Sequence, residues 1–260
     1  MTPLETFVRQ RLQRKQLLLM THAVVGHPSL ETNMAMLEAM QRADVDLVEL
    51  QMPFSEPIAD GPVFVRANQQ ALDAGMTRDA YFTFMQQVRA RFDFKILFMG
   101  YYNNVLQMGH ETFCACLAAH GGCGFILADL PPEEAGDLYQ HAAKHALAPI
   151  MLMTPTSPLT RLHSLAEHAQ GFVYCVARKG VTGTHTDLDP QLQAFVQRCR
   201  QATSLPLALG FGLQTGADFQ QIRGLVDIGI VGTALLTAWE QGGLAHYEAL
   251  LQELRAATAW

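Results

Sequence analysis

Two acidic residues, Glu49 and Asp60, stand where their carboxylates could share one reaction. Glu49 lies near the end of the apolar run at residues 45–50, and Asp60 follows in the Pro-rich segment at residues 57–62. A carboxyl group that is partly desolvated has its charged form disfavoured, which suits a group that both donates and accepts a proton. Two ordinary alternatives remain open. Glu49 could be a solvated residue at a strand edge, and Asp-Gly-Pro is also a common turn in which Asp caps its own backbone.

Three glycine-rich segments could bind the charged end of a substrate. They occupy residues 177–187, 209–216 and 230–236. The third opens a predicted helix, so the backbone amides of Gly232 and Thr233 would face an anion at the positive helix end. Gly210 and Gly212 allow a ligand to approach the backbone closely. The pattern predicts a phosphate site, although each glycine alone could serve only a tight turn.

The elements that must position these residues alternate along the chain. Apolar, strand-like runs occupy residues 17–25, 45–50, 95–100, 123–129, 148–153, 171–176, 205–210 and 226–232. Segments of helical period occupy residues 29–42, 78–91, 110–119, 133–146, 159–168, 190–201, 215–223 and 233–257. Eight strands alternating with eight helices predict an α/β fold, a (β/α)8 TIM barrel with a parallel sheet covered on both faces. We expect one domain over residues 1–260, with an extra N-terminal helix at residues 2–14 that covers the barrel floor.

An open, doubly wound sheet is the structural alternative. It is weakened because no Gly-x-Gly-x-x-Gly motif follows the first strand. In a barrel, the strand at residues 45–50 places Glu49 on the same face as Val45 and Leu47. If Val48 and Leu50 pack beneath the helices, Glu49 points into the barrel mouth, where barrel enzymes keep their catalytic groups.

Composition excludes several classes of function. The 260 residues carry a net charge of −6, which argues against nucleic-acid binding, although a local phosphate site needs no basic domain. The five cysteines are odd in number and lack the spacing of a disulfide framework or a zinc site, so we expect reduced thiols and no metal. No signal-peptide core and no apolar stretch of about 20 residues is present. The sequence thus favours a cytoplasmic protein without a membrane partner.

Several ordered motifs resemble those of the tryptophan synthase α-subunit family. The most specific is VELQMPFSEPIADGPVFVRAN, at residues 48–68. Other matching segments are MGYYNNVL, ADLPPEEA, VTGT, GFG and VGTAL, which follow in the family's order. The resemblance implies a TIM barrel that cleaves indole-3-glycerol phosphate into indole and glyceraldehyde 3-phosphate. This retro-aldol reaction uses no cofactor in this chain.

The resemblance also implies roles for individual residues. Glu49 matches the family's acid/base, Asp60 the carboxylate that binds the indole N–H, and Thr182 the loop threonine that engages this aspartate. Tyr102 matches an active-site tyrosine. The expected phosphate-binding residues are Gly183, Gly212, Gly232 and Thr233, with Gly210 lining the same region.

A partner subunit is implied as well. In the family, the loops corresponding to residues 52–60 and 178–188 couple the barrel to a β subunit that carries pyridoxal phosphate (PLP), in an α2β2 heterotetramer. We expect Pro53, Phe54 and Pro57 to be exposed for this contact, the alternative being a loop packed on its own barrel.

The chain departs from the family pattern at the mouth and rim. The unusual residues are His22, His27, Gln51, Glu56, Lys179 and His185. Gln51 adds bulk where a glycine is usual beside the acid/base glutamate. Alternative functions are therefore a largely regulatory subunit that activates a PLP-dependent β partner, or a stand-alone indole-3-glycerol phosphate lyase. Another phosphate-binding isomerase or aldolase is a weaker alternative, since a Schiff-base aldolase would need a lysine inside the mouth.

Overall fold

The computed structural model describes residues 1–176, 190–210 and 212–258. Parallel strand segments form the sheet: β1 (Leu18–Val24), β2 (Leu47–Gln51), β3 (Lys95–Gly100), β4 (Gly122–Leu127), β5 (Ala148–Pro149), β6 (Met151–Met153), β7 (Val173–Val176), β8 (Leu207–Gly210) and β9 (Ile228–Val231). Their order is β5-β4-β3-β2-β1-β9-β8-β7-β6. Because β5 and β6 are consecutive pieces of one chain path separated only by Ile150, this order closes the sheet into a barrel.

Helices surround this barrel. They are α1 (Pro3–Leu12), α2 (Leu30–Arg42), α3 (Pro62–Asp73), α4 (Arg78–Arg91), α5 (Tyr102–Met108), α6 (His110–Ala119), α7 (Leu138–Lys144), α8 (Leu159–His168), α9 (Pro190–Ala202), α10 (Gly216–Ile222) and α11 (Thr233–Thr258), with a short 3-10 turn at Pro132–Glu134. Side chains of Ser29 and Thr77 cap α2 and α4 by accepting hydrogen bonds from the first-turn amides. The predicted α/β barrel is confirmed.

Two apolar layers follow from the strand alternation. Side chains such as Leu47 and Leu97 point into the barrel and pack with one another. Val48 and Leu50, which alternate with them, pack in the larger layer between sheet and helices. This places Glu49 on the inward face of β2, because it shares that face with Leu47.

The floor of the barrel is covered by α1, as expected. Leu4 and Val8 are fully buried in the interior apolar cluster. At the same end, the buried Asp46 carboxylate accepts hydrogen bonds from Arg11 Nε at 2.6 Å and Lys15 Nζ at 3.0 Å. These contacts tie the N-terminal segment to the start of β2, at the end opposite the mouth.

The structure also corrects parts of the predicted element order. Helices α3 and α5 were not predicted. The predicted helix at residues 133–146 is a 3-10 turn followed by α7, and α11 is interrupted by non-helical backbone at Gly242 and Gly243. Proline at the first position of α3 and its buried residues at positions 64, 67, 68 and 71 are the signals that could have revealed that helix.

Candidate active site

The inward face of two neighbouring strands places three polar side chains together. His22 on β1 is the register partner of Glu49 on β2, and Gln51 is the next inward residue of β2. All three lie above the apolar interior layer, toward the carboxyl ends of the strands. This is the end at which barrel enzymes assemble their sites.

Glu49 is almost completely buried and poorly solvated. Its Oε1 has no hydrogen-bond partner among the described residues, and its Oε2 lies 3.5 Å from His22 Nδ1. Burial, followed by the nearby charge of Asp60, raises the pKa of Glu49 from 4.5 to about 8. Burial also lowers the pKa of His22 to about 4, so the imidazole is neutral and supplies no counter-charge. At neutral pH, Glu49 is therefore a protonated acid.

Asp60 is buried too, but its carboxylate accepts hydrogen bonds from several side chains. Gln51 Nε2 donates to Oδ2 at 2.7 Å, Asn68 Nδ2 donates to the same atom at 3.4 Å, and the Tyr101 hydroxyl also bonds this side chain. Burial raises the pKa of Asp60 to about 6 while these three hydrogen bonds oppose the rise. Asp60 is therefore ionised at neutral pH. The two carboxyl groups hold opposite protonation states in one site.

The tyrosine that hydrogen-bonds Asp60 is Tyr101. It is fully buried, stacks on Phe54 with ring centroids 5.1 Å apart, and accepts a hydrogen bond from Ala59 N. The Tyr102 hydroxyl instead lies 2.9 Å from His110 Nε2 on α6. Tyr102 is the first residue of α5, and the helix start turns its side chain toward the next helix. The expected substrate-binding role of Tyr102 has no support in these contacts.

The glycine segments share a pocket with His22, the neighbour of Glu49. The pocket is lined by His22, Phe64, Tyr174, Gly212, Leu213, Gln214, Ile230, Gly232, Thr233 and Ala234. Gly212 has a φ of +111°, a conformation that side chains disfavour. Gly210 is required by Tyr174, because a Cβ at that position would lie 2.2 Å from the Tyr174 hydroxyl. The first turn of α11 thus faces His22 across the pocket.

Thr182 and Gly183, and the unusual Lys179 and His185, lie outside the described residues. Of the remaining departures, Glu56 is exposed and His27 is buried. Burial lowers the pKa of His27.

The rim loop differs from the expectation of exposed apolar residues. Pro53 and Pro57 are buried and Phe54 is half-buried against Tyr101, so the loop packs on its own barrel. The exposed apolar residue of this loop is Ile58, at 73%. Leu106 on α5 is also exposed.

Sequence reasoning did not assign functional roles to Tyr101 and Asn68. Tyr101 continues the inward alternation of Leu97 and Met99 beyond β3, which is the signal that could have found it. Asn68 lies four residues after Phe64 on the buried face of α3, so helical spacing was its only signal.

Three further observations concern residues 1–176, 190–210 and 212–258. No group of three or more His, Cys, Asp or Glu side chains there is arranged to hold a metal ion. None of the helices in these ranges has the length and apolar character needed to span a bilayer. All five cysteines are free thiols.

Comparisons with known proteins agree with this architecture. The family model "Tryptophan synthase alpha chain" matches residues 8–259. A tryptophan synthase alpha chain of Syntrophotalea carbinolica is 47% identical over 97% of this chain and 100% of its own length. One of Desulforapulum autotrophicum is 44% identical over 96% of this chain and 99% of its own length.

Solved structures show the same similarity. A chain of Mycobacterium tuberculosis tryptophan synthase has a TM-score of 0.91 at 31% identity and covers 100% of this chain and 99% of its own length. Tryptophan synthase subunit alpha from Legionella pneumophila has a TM-score of 0.87 at 30% identity, with coverage of 99% and 98%. The chain therefore belongs to the tryptophan synthase alpha chain family.

Proposed function

We propose that this chain is a carbon–carbon lyase that cleaves indole-3-glycerol phosphate into indole and glyceraldehyde 3-phosphate, with Glu49 and Asp60 as its catalytic residues. The observation that carries the proposal is the pair of buried carboxyl groups whose environments drive their pKa values apart. Such a separation assigns one group as the acid and the other as the anion. The pocket that connects His22 with Gly212 and Gly232 provides room for the phosphate end of the same substrate.

Glu49 performs the proton transfers. In its protonated form it delivers a proton to indole C3, and as the C3–C3′ bond breaks it accepts the proton of the C3′ hydroxyl. The electron pair of the broken bond remains with the indole ring, and the C3′ carbon becomes the aldehyde. One proton is donated and one is taken up, so the carboxyl group ends the reaction as it began. Oε1, which has no hydrogen-bond partner among the described residues, is the oxygen available to the substrate.

Asp60 stabilises the charge that develops on the ring. Protonation at C3 places positive charge on the indole nitrogen, and an ionised carboxylate that accepts the N–H hydrogen bond stabilises it. The donors Gln51, Asn68 and Tyr101 fix the carboxylate before substrate binds. Preorganisation of this kind avoids reorganisation during the reaction.

The phosphate group binds at the side of the pocket formed by the start of α11 and the loop that carries Gly212. The amides of Gly232 and Thr233 stand at the start of α11, where the positive end of the helix favours an anion. The positive φ of Gly212 lets its backbone approach the ligand from the neighbouring loop. Of the residues expected for this group, Gly212, Gly232 and Thr233 line this one pocket, which supports the proposal. Gly210 leaves room for the Tyr174 side chain.

We further propose that the chain acts with a PLP-dependent β subunit in an α2β2 complex and holds no cofactor of its own. Ile58 and Leu106, exposed by 73% and 55%, are apolar side chains of the segments that flank Tyr101. The proposal rests on the family to which the chain belongs, and these two side chains are candidate contacts for the partner.

An indole-release assay, with and without the β subunit of the same organism, tests this function. We expect cleavage of indole-3-glycerol phosphate that the β subunit accelerates. Equal and rapid indole release without the partner would identify a stand-alone lyase. Activation of the β reaction without any cleavage would identify a regulatory subunit and refute the catalytic roles of Glu49 and Asp60.

A further inference from the structure

A series of side-chain contacts connects the two carboxyl groups. Gln51 Nε2 donates to Asp60 Oδ2 at 2.7 Å, and Gln51 Oε1 lies 2.8 Å from His22 Nε2. His22 Nδ1 in turn lies 3.5 Å from Glu49 Oε2. This last distance is at the long limit of a hydrogen bond, and catalytic hydrogen bonds are often long until substrate binds. The series therefore runs from Asp60 to Glu49 through the side chains of Gln51 and His22.

The chemistry of each partner fixes the direction of these contacts. An ionised carboxylate only accepts hydrogen bonds, so Asp60 requires the NH2 group of the Gln51 amide. The carbonyl oxygen of Gln51 then faces His22 and accepts a hydrogen bond from Nε2–H. A neutral imidazole carries one proton, which leaves Nδ1 with a lone pair directed at Glu49. The second hydrogen bond of an imidazole commonly sets its tautomer in this way.

Packing holds the two residues in this arrangement. Gln51 is fully buried, and its Nε2 also lies 3.4 Å from Asn68 Oδ1. The His22 ring stacks on Phe64, with centroids 4.3 Å apart and an interplanar angle of 20°. A buried amide without partners would be costly, so the complete set of contacts restricts both side chains to one orientation.

We propose that His22 and Gln51 are positioning residues, which join Asp60 to Glu49 and present the lone pair of His22 Nδ1 to the Glu49 carboxyl group. This inference rests on the proposed function, in which Glu49 is the acid/base. A lone pair accepts a hydrogen bond from the protonated carboxyl group and repels its ionised form. The contact thus orients Glu49 and favours the protonated form that the reaction requires, while Oε1 stays free for the substrate.

The titratable groups around this contact are few among the described residues. Asp60 faces Glu49 and is ionised at neutral pH. The other titratable groups are Tyr174 on β7 and Tyr101. Burial raises the pKa of both tyrosines well above their usual range. They stay neutral, so the tautomer of His22 and the charge of Asp60 are the variables that a substitution at Gln51 alters.

The tautomer of His22 can be measured without any activity. In nitrogen-15 NMR of the histidine-labelled chain, His22→Phe identifies the ring signals of His22. We expect the neutral Nε2–H form in the wild-type chain at pH 7, and conversion toward the Nδ1–H form in Gln51→Met, which keeps the side-chain length but removes the amide. An Nδ1–H or charged ring in the wild type, or an unchanged tautomer in Gln51→Met, would overturn the proposal.

Kinetics then test what the contacts do for the reaction. We expect Gln51→Met and His22→Phe each to lower kcat about tenfold with little change in KM, because they disturb the geometry of a retained catalytic group. The double variant should lose no more than the worse single variant, since the two residues act as one unit. A double variant whose loss in kcat equals the product of the two single losses would contradict a shared positioning role. Single variants that change KM alone would contradict it as well.

The pH dependence separates positioning from simple structural damage. In Gln51→Met, an Nδ1–H imidazole would donate to Glu49 and favour the ionised carboxylate, so the alkaline limb of the profile should move down by about one pH unit. The matched control is Tyr81→Phe, which removes a buried hydrogen bond to Leu50 O on the helix side of β2 and should leave the limb unmoved. An unmoved limb in Gln51→Met would refute the proposal. Failure of the proposed function is distinct, since it would show as no cleavage by the wild type or as full activity of Glu49→Gln.

Discussion

His22 Nδ1 lies 3.5 Å from Glu49 Oε2, yet the two groups do not form a charged pair. Burial keeps the imidazole neutral, with a pKa of about 4, and keeps the carboxyl group protonated, with a pKa of about 8. A partly exposed histidine at the same distance would tend to ionise Glu49 instead. Desolvation of His22 and Glu49 at the carboxyl ends of β1 and β2 therefore decides the protonation state of Glu49, on which the proposed chemistry depends.

Replacement of Glu49 by Gln should abolish indole production while the fold is retained. The amide is nearly the same size but cannot exchange a proton, so we expect kcat to fall by about 10²–10⁴-fold. Indole release at saturating substrate measures this loss, with circular dichroism as the check on folding. Glu31→Gln, an exposed acid at the start of α2, is the control and should keep wild-type kcat. Substantial turnover by Glu49→Gln would remove Glu49 from the central role.

Activity should follow a bell-shaped pH profile. Asp60 must be ionised and Glu49 protonated, so kcat/KM should fall below about pH 6 and above about pH 8. Asp60→Asn should lower the rate by about 10²-fold, since a neutral amide does not stabilise a positive ring nitrogen, and should remove the acid limb. A wild-type rate for Asp60→Asn would reduce Asp60 to a turn residue.

Stability should depend on pH through Glu49. Its pKa in the folded chain is raised, so the folded state binds more protons than the unfolded state between pH 4.5 and about 8. The free energy of unfolding is therefore highest at low pH and falls as pH rises through this window, because the buried carboxyl group must then ionise. A pKa shift of this size corresponds to a loss of roughly 3–5 kcal/mol in the free energy of unfolding.

Urea unfolding of Glu49→Gln and the wild type at pH 5 and pH 9 measures this effect. The variant should be the more stable of the two at pH 9, because no buried charge forms, and the difference should shrink at pH 5. If the variant and the wild type had the same unfolding free energy as each other at pH 5 and again at pH 9, Glu49 would not be desolvated.

The phosphate site can be tested with a pair of glycines. Gly212→Ala and Gly75→Ala both place a Cβ on a residue with positive φ, +111° and +82°, and the position at Gly75 has open space around it. Both should lose about 1 kcal/mol of stability or somewhat more through backbone strain. Only Gly212→Ala should raise KM for indole-3-glycerol phosphate, by about tenfold, because only Gly212 lines the pocket. Equal KM values for the two variants would place the phosphate elsewhere.

Much of the fold was readable from the sequence because the barrel strands are nearly continuous apolar runs bounded by capped helices. The run at residues 95–100 and the helices at 78–91 and 159–168 have the predicted bounds. Helix α3 was missed because it follows a loop rich in proline. The predicted helix at residues 133–146 is interrupted at residues 135–137, between the 3-10 turn and α7. Local pattern does not show where such breaks occur.

The sequence by itself determined the alternation of strands and helices that predicts a parallel barrel, the strand face that Glu49 shares with Leu47, and the positions of the glycine segments, since these follow from a period of two and from the order of the elements. The packing of Val48 and Leu50 under the helices then decided that this face points inward. The sequence did not determine which tyrosine contacts Asp60, nor that Gln51 and His22 connect the two carboxyl groups. Those contacts join residues of separate strands and loops, and only the closed barrel sets their distances. The degree of burial that separates the pKa values of Glu49 and Asp60 likewise exists only in the tertiary structure.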